Sequence, residues 1–224
     1  YETLEAKFLS TFVQDESDMV IAGTEEEIND NYVKYSNKLW RVVSLNSDGM
    51  IKLVTNDSVN TMAWDINGST DYSQSSIRAW LNNDFLSTLD NYESYLYDSI
   101  WNYTAVSSLV SKPSLINYVS DKVGLMMPYE IFLTMKKDVN NDSWSISNYD
   151  YWLISPIDDP FFNEVSSVTM TTNGYFVFDT CVPTEQLGVR PSIVLKSGIF
   201  VSDTDGDGSY GNGTVDSPYE IVAN

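Results

Sequence analysis

The most restrictive stretch of this chain is Leu39-Trp40-Arg41-Val42-Val43-Ser44-Leu45, followed by Asn46-Ser47-Asp48-Gly49 and then Met50-Ile51-Lys52-Leu53-Val54. Two apolar, β-branched runs joined through Asp-Gly predict a β-hairpin, because glycine accepts the left-handed backbone that tight turns demand. An isolated hairpin is marginal in water, so other elements must cover it. Short strands are expected at Met19–Ala22, Tyr32–Tyr35, Trp152–Ser155, Val168–Thr171, Tyr175–Phe178 and Val189–Leu195. Thr172-Asn173-Gly174 is the turn between two of them, and a final arm pairs Ile199–Ser202 with Tyr219–Val222.

Helical periodicity is confined to a few places. Leu4, Phe8 and Phe12 at i, i+4, i+8, with Leu9 and Val13 beside them, predict an amphipathic helix over residues 1–14. The acidic stretch Gln14–Asn31 follows as a connector. Ile77, Trp80, Leu81 and Phe85 share one face of a second helix, with a serine at its start as N-cap. The polar, Tyr-rich region 86–122 has apolar spacing suited to one or two more helices or to irregular packing. A further helix is expected after Pro128, with Tyr129, Ile131, Phe132 and Met135 facing inward. The expected class is α+β: residues 1–30 form an N-terminal helix and connector, and 31–224 one domain, long enough for a single buried core.

Charge and composition narrow the chemistry. Twelve Lys+Arg against 32 Asp+Glu give a formal charge of −20, which repels phosphate backbones and anionic lipid heads alike. Nucleic acid and direct membrane contact are therefore not expected, and no apolar run approaches the roughly 20 residues of a membrane span. No signal peptide is present, so an exported protein would be a trimmed form. Histidine is absent and Cys181 is the single cysteine, which removes histidine-based triads, ordinary zinc sites and internal disulfides. With no neighbouring cation in sequence to lower its pKa, Cys181 reads as an inert thiol.

Four segments in order carry a resemblance: Tyr32-Val33-Lys34-Tyr35 with Leu39-Trp40-Arg41-Val42-Val43; Ser76-Ile77-Arg78-Ala79-Trp80-Leu81-Asn82; Trp152-Leu153-Ile154-Ser155-Pro156; and Gly188-Val189-Arg190-Pro191-Ser192-Ile193. Gly206-Asp207-Gly208-Ser209 followed by Ser217-Pro218-Tyr219-Glu220-Ile221 adds a closing hairpin. Together, over about residues 31–224, they resemble a family of uncharacterised domains in surface proteins of Gram-positive bacteria, distantly similar to C-type-lectin-like and formylglycine-generating-enzyme-like folds. The resemblance implies a C-type-lectin-like domain in an extracellular, cell-surface setting. The related folds include sugar- and protein-binding modules and one cysteine-dependent oxidase. Cys181 lies outside the matched motifs, so that oxidase chemistry does not carry over.

All three arginines, Arg41, Arg78 and Arg190, fall inside these segments. A guanidinium fork tolerates burial better than an ammonium, so they are expected to be substantially buried, tying elements together through carboxylates or backbone carbonyls; the alternative is an anion pocket. Asp203-Thr204-Asp205-Gly206-Asp207-Gly208 fits the start of a calcium loop, with Asp203, Asp205 and Asp207 as ligands. Its twelfth position is Thr214 rather than glutamate, and a plain hairpin turn needs the same residues. Asp138-Val139-Asn140-Asn141-Asp142-Ser143 is a poorer copy. Asp158-Asp159 beside Pro160-Phe161-Phe162 is the acid pair that most resembles a hydrolase site, against the simpler reading of a solvated loop.

Aromatic residues make up 13% of the chain, enough to fill a core and leave some at the surface. Trp40, Trp80 and Trp152 sit in patterned segments and are expected inside. Trp64, Trp144, Tyr149, Tyr151 and Tyr175 border polar, turn-rich stretches and are the candidate ligand contacts, with ordinary packing as the alternative. The function expected first is a non-catalytic binding or adhesion module for a glycan or a protein. A pilin-like subunit of a surface appendage comes second, since Tyr1-Glu2-Thr3-Leu4-Glu5 resembles a mature pilin start without the long apolar helix. A carboxylate-dependent hydrolase is third.

Overall fold

The computed structural model describes residues 3–8, 19–20, 30–108, 111–134, 150–170, 176–202 and 211–221. The protein is mixed α+β, with most of its regular structure in sheets and a few short helices. The hairpin forms as expected: Lys38–Leu45 pairs antiparallel with Ile51–Thr55. Gly49 takes φ +78°, and Asn46 Oδ1 accepts the amides of Asp48 (3.0 Å) and Met50 (2.9 Å), so the turn residues close their own backbone.

Around this hairpin grows an eight-stranded sheet in the order Val201–Ser202, Tyr219–Ile221, Tyr32–Tyr35, Lys38–Leu45, Ile51–Thr55, Ser192–Leu195, Val123–Gly124, with Met19–Val20 added to Lys38–Leu45. A five-stranded sheet runs Phe176–Cys181, Val165–Met170, Tyr151–Pro156, Leu187–Val189, Asn60–Met62. The two share one long antiparallel ribbon. Ile51–Thr55 pairs with Ser192–Leu195 in the first sheet, and the same two chain segments pair again as Asn60–Met62 with Leu187–Val189 in the second. Between them the ribbon turns a corner, a known way for strands to switch sheets.

That corner corrects one expectation. Val189–Leu195 is not a single strand; it breaks at Arg190-Pro191 because proline has no N–H to continue a ladder. Region 86–122 differs too. It opens with a 3₁₀ turn, Leu86–Thr88, and a short helix, Tyr92–Tyr95, but then forms a two-stranded ribbon, Ser99–Asn102 against Tyr118–Asp121. Trp101 and Val119 pair across it and face the core, while Ile100 and Tyr118 stay exposed. Trp101 lies so close to Gly124 that a Cβ there would stand 2.2 Å from its ring.

The helix after Pro128 spans Pro128–Leu133, but its buried face is Pro128, Glu130 and Ile131, with Phe132 exposed. Glu130 is drawn inward because Lys52 Nζ donates to Oε1 at 2.5 Å and the Met127 amide to Oε2 at 2.8 Å. The Lys52 ammonium also lies 4.8 Å from the Trp101 ring centroid, tying sheet, helix and ribbon together. At the N-terminus the described helix is Leu4–Phe8. Leu4 and Phe8 are buried in the same core as the hairpin strands, Phe8 edge-on to Tyr219 at 5.4 Å. The helix therefore packs on the body of the fold rather than projecting from it.

Candidate functional site

Three loops meet at one place on the surface. The first begins at Asp65, whose carboxylate accepts the amides of Asn67 (3.1 Å), Ser69 (2.9 Å) and Ser76 (3.0 Å) and the Ser76 hydroxyl (3.0 Å). Burial alone would raise the Asp65 pKa, but the bonds from Ser69, Ser76 and Asn67 outweigh it and hold the carboxyl below its ordinary value. Gly68 completes the turn at φ +77°. The second loop follows Tyr151–Pro156, and Asn163 ties it to the first by donating Nδ2 to the Gly68 carbonyl at 2.7 Å. The third comprises the two ends of the ribbon, where Thr104 Oγ1 accepts the amides of Ile116 (3.1 Å) and Asn117 (2.9 Å). Val106 stitches it to the second, donating to Pro156 O and accepting from Asp158 N, both at 2.9 Å.

Between these loops lies a groove of about 330 Å³ lined by Thr70, Asp71, Tyr103, Asn117, Pro156 and Ile157, with Ala105. Asp71 Oδ1 caps the turn Tyr72–Gln74 through Ser73 N (2.9 Å) and Oγ (2.7 Å). The Tyr103 ring backs onto Tyr72 at 5.8 Å, and Tyr72 onto Trp64 at 5.7 Å. Neither the Asn117 side-chain amide nor the Tyr103 hydroxyl has a hydrogen bond among the described residues. The same loops expose Ile66 (71%), Phe161 (87%), Phe162 (58%), Leu115 (58%) and Ile116 (69%).

A second depression, about 350 Å³, is lined by Ser73, Gln74, Ser75, Arg78, Asn82 and Asp121 among others. Its walls are the helix Ser76–Trp80, capped by Ser75 Oγ on the Arg78 amide, and a π turn over Leu81–Phe85. Arg78 grips Asp121 bidentately, Nε to Oδ2 at 2.7 Å and Nη2 to Oδ1 at 3.0 Å, while Nη1 donates to Ser73 O at 2.6 Å. This arrangement ties the helix to the ribbon. The neighbouring Tyr72 phenol is fully buried without a hydrogen-bond partner among the described residues, and burial pushes its pKa well up, Asp121 adding and Arg78 opposing.

Arg41 and Arg190 lie inside, Arg78 at the edge. Arg41 donates Nε to Asn31 Oδ1 (2.6 Å) and Nη1 to the Tyr32 hydroxyl (2.8 Å), its guanidinium 3.9 Å from the Tyr32 ring. Arg190 sits at the sheet corner, donating Nε to the Thr55 carbonyl (3.0 Å) with its guanidinium 4.8 Å from the Tyr151 ring. Two candidate ligand contacts are corrected: Trp64 and Tyr151 are 0% and 1% exposed. The Trp64 indole donates to Leu153 O at 3.2 Å, and Tyr151 opens a strand buried along its whole length. The apolar run Trp152-Leu153-Ile154 directly after Tyr151 was the signal for this; Trp64 had none.

Trp144, Tyr149, Tyr175 and the calcium-loop residues Asp203, Asp205 and Asp207 lie outside the described residues, as does the poorer copy at Asp138–Ser143. Among the described residues no group of three His, Cys, Asp or Glu side chains is placed to hold a metal. Asp159 Oδ1 accepts the Phe161 amide at 2.8 Å, shaping its loop. Cys181 is half-buried beside the Ser167 hydroxyl at 3.8 Å; burial raises its thiol pKa, Ser167 lowers it and Asp179 and Glu185 raise it further. Sequence reasoning missed Asp65, Asn163, Asn117 and Thr104. Asp65-Ile66-Asn67-Gly68-Ser69 carried a turn signal; the rest depend on distant segments.

Fold and groove define a mixed α+β module whose loops, rather than its strands, present the candidate site. Residues 48–197 match a domain of unknown function (DUF6273), so the chain belongs to that family. Every residue lining the groove falls within the matched span. No curated protein and no solved structure matches the chain.

Proposed function

We propose that this chain is a non-catalytic, extracellular module of a bacterial cell surface that binds a glycan or a protein where the three loops meet. The observation that carries the reading is the set of large apolar side chains, Ile66, Phe161 and Phe162 foremost, held out in water on loops stitched by side-chain hydrogen bonds. Exposed, rigidly mounted aromatic groups bind with little loss of conformational entropy. A C-type-lectin-like class for the fold rests on the sequence resemblance, with which the mixed α+β architecture agrees.

Two observations favour binding over the alternatives. Leu4 and Phe8, whose stripe would be the docking face of an appendage subunit, are buried in the chain's own core. Among the described residues, the lining of each of these two depressions holds one carboxylate, Asp71 or Asp121, where a glycosidase needs two acids about 5–10 Å apart. The test is to probe arrays of glycans and of extracellular proteins with the labelled chain and with a Phe161→Ser/Phe162→Ser variant. Binding by the parent and at least about tenfold weaker binding by the variant, with unchanged thermal stability, is the expected outcome. No binding to either array, or equal binding by both forms, would overturn the proposal.

A further inference from the structure

We infer that the groove between Asp71, Tyr103 and Asn117 is a subsite for an uncharged saccharide, and that it discriminates against acidic sugars. The inference rests on the binding-module reading and specifies its ligand. The groove's chemistry narrows the ligand in three steps.

Its polar groups come first. Asn117 offers both an amide donor and an amide acceptor, and Tyr103 a hydroxyl that does both, none of them engaged by the described residues. Thr70 adds a hydroxyl, whose contact to Asn163 Oδ1 is long at 3.4 Å. Both capping bonds of Asp71 go to Oδ1, so Oδ2 stays outside that turn. A ligand matching this set must both donate and accept repeatedly within a small volume, as the hydroxyls of a sugar ring do.

The walls come second. Tyr103, Pro156, Ile157 and Ala105 supply apolar surface beside those polar groups, suited to the C–H face of a pyranose. The volume, about 330 Å³, lies at the small end for ligand pockets, which fits a short saccharide better than a folded partner.

Charge comes third. Among the described residues the lining contains Asp71 and no Lys or Arg, in a chain of net charge −20. A carboxylate or sulfate on the ligand would meet like charge at close range and through the whole field. The groove is also prepared before binding: Thr104 clamps the Asn117 backbone, and Tyr72 backs the Tyr103 ring.

The experiment titrates the full 224-residue chain by calorimetry with neutral gluco-, manno-, galacto- and N-acetylglucosamine oligosaccharides in both anomeric linkages, against polygalacturonate and heparan sulfate. At least one neutral series should bind, and more tightly than either polyanion. Asn117→Ala should weaken that binding about tenfold and Tyr103→Phe several-fold. Asp71→Asn keeps the cap on Ser73 but should narrow the gap between neutral and acidic ligands. Absence of any neutral binding, preference for a polyanion, or indifference to both Asn117→Ala and Tyr103→Phe would overturn the inference. A protein partner found on the arrays with no saccharide binding would overturn it too, while leaving the binding module standing.

Discussion

The corner where the two sheets join and the loop cluster around the groove are both built on polar side chains, yet they use them in opposite ways. At the corner, Arg190 is buried, hydrogen-bonded to Thr55 and stacked near Tyr151, with Pro191 ending the ladder. Its polarity is consumed in holding one sheet to the other. In the loop cluster, Asp65 and Asn163 are spent on backbone groups, but that spending leaves Asn117 and the apolar rim facing water, with Tyr103 half-buried beside them. Burial therefore separates the two roles: polar groups inside specify the fold, and the same residue types at the loop end set out a surface.

The sharpest way to break this contrast is at the corner. Arg190→Ala would orphan the buried Thr55 carbonyl and empty a well-packed site, so a loss of about 3 kcal/mol is expected in urea unfolding. Gly188→Ala should also destabilise, by about 1–3 kcal/mol, because its Cβ would stand 2.3 Å from Ser58 Oγ and 2.7 Å from the Asp150 carbonyl. If either change left stability intact and instead altered binding, the corner would belong to the functional surface.

Asp65 stands between the two regimes, being a buried charge that organises an exposed loop. Asp65→Ala is expected to cost about 2–3 kcal/mol by leaving three amides and a hydroxyl without their acceptor. The pH dependence has a fixed sign. The folded carboxyl lies below the ~3.9 of an unfolded aspartate, so its contribution is complete above about pH 4 and lost as pH falls through the lower folded value. The stability gap between parent and Asp65→Asn should therefore narrow on acidification below pH 4; a gap that widened there would contradict the assignment.

The two regions were unequally legible. The hairpin could be read because its cause is local: alternating β-branched residues, Asp-Gly, and an Asn that closes its own turn. The Ser75 cap and the turn after Asp65 are local too. Pro191 is a local sign that Val189–Leu195 must break, but the corner built there hid because its partners, Thr55 and Arg190, are 135 residues apart. The groove hid for the same reason, drawing its lining from segments near residues 70, 104, 117 and 157. Trp64 and Tyr151 misled because polar neighbours in sequence do not predict neighbours in space. The exposed rim went unread because Ile66 and Ile116, as isolated residues, look like core.

The smallest effect is the most discriminating. Asn163 is exposed, and its link to Gly68 is one hydrogen bond between two loops, so Asn163→Ala should lower global stability by about 1 kcal/mol or less. Its consequence should be local. Hydrogen exchange at Gly68 and Ser69 should quicken while the amides of Lys38–Leu45 and Ile51–Thr55 keep their protection, because loop opening and global unfolding are separate events. Ligand binding should weaken at the same time, since Ile66 and Phe161 would no longer be held in one arrangement before contact. A uniform loss of protection would place Asn163 with Arg190 among the groups that hold the fold. Protection lost only in the loops would confirm that the cluster's stitching serves the surface it presents.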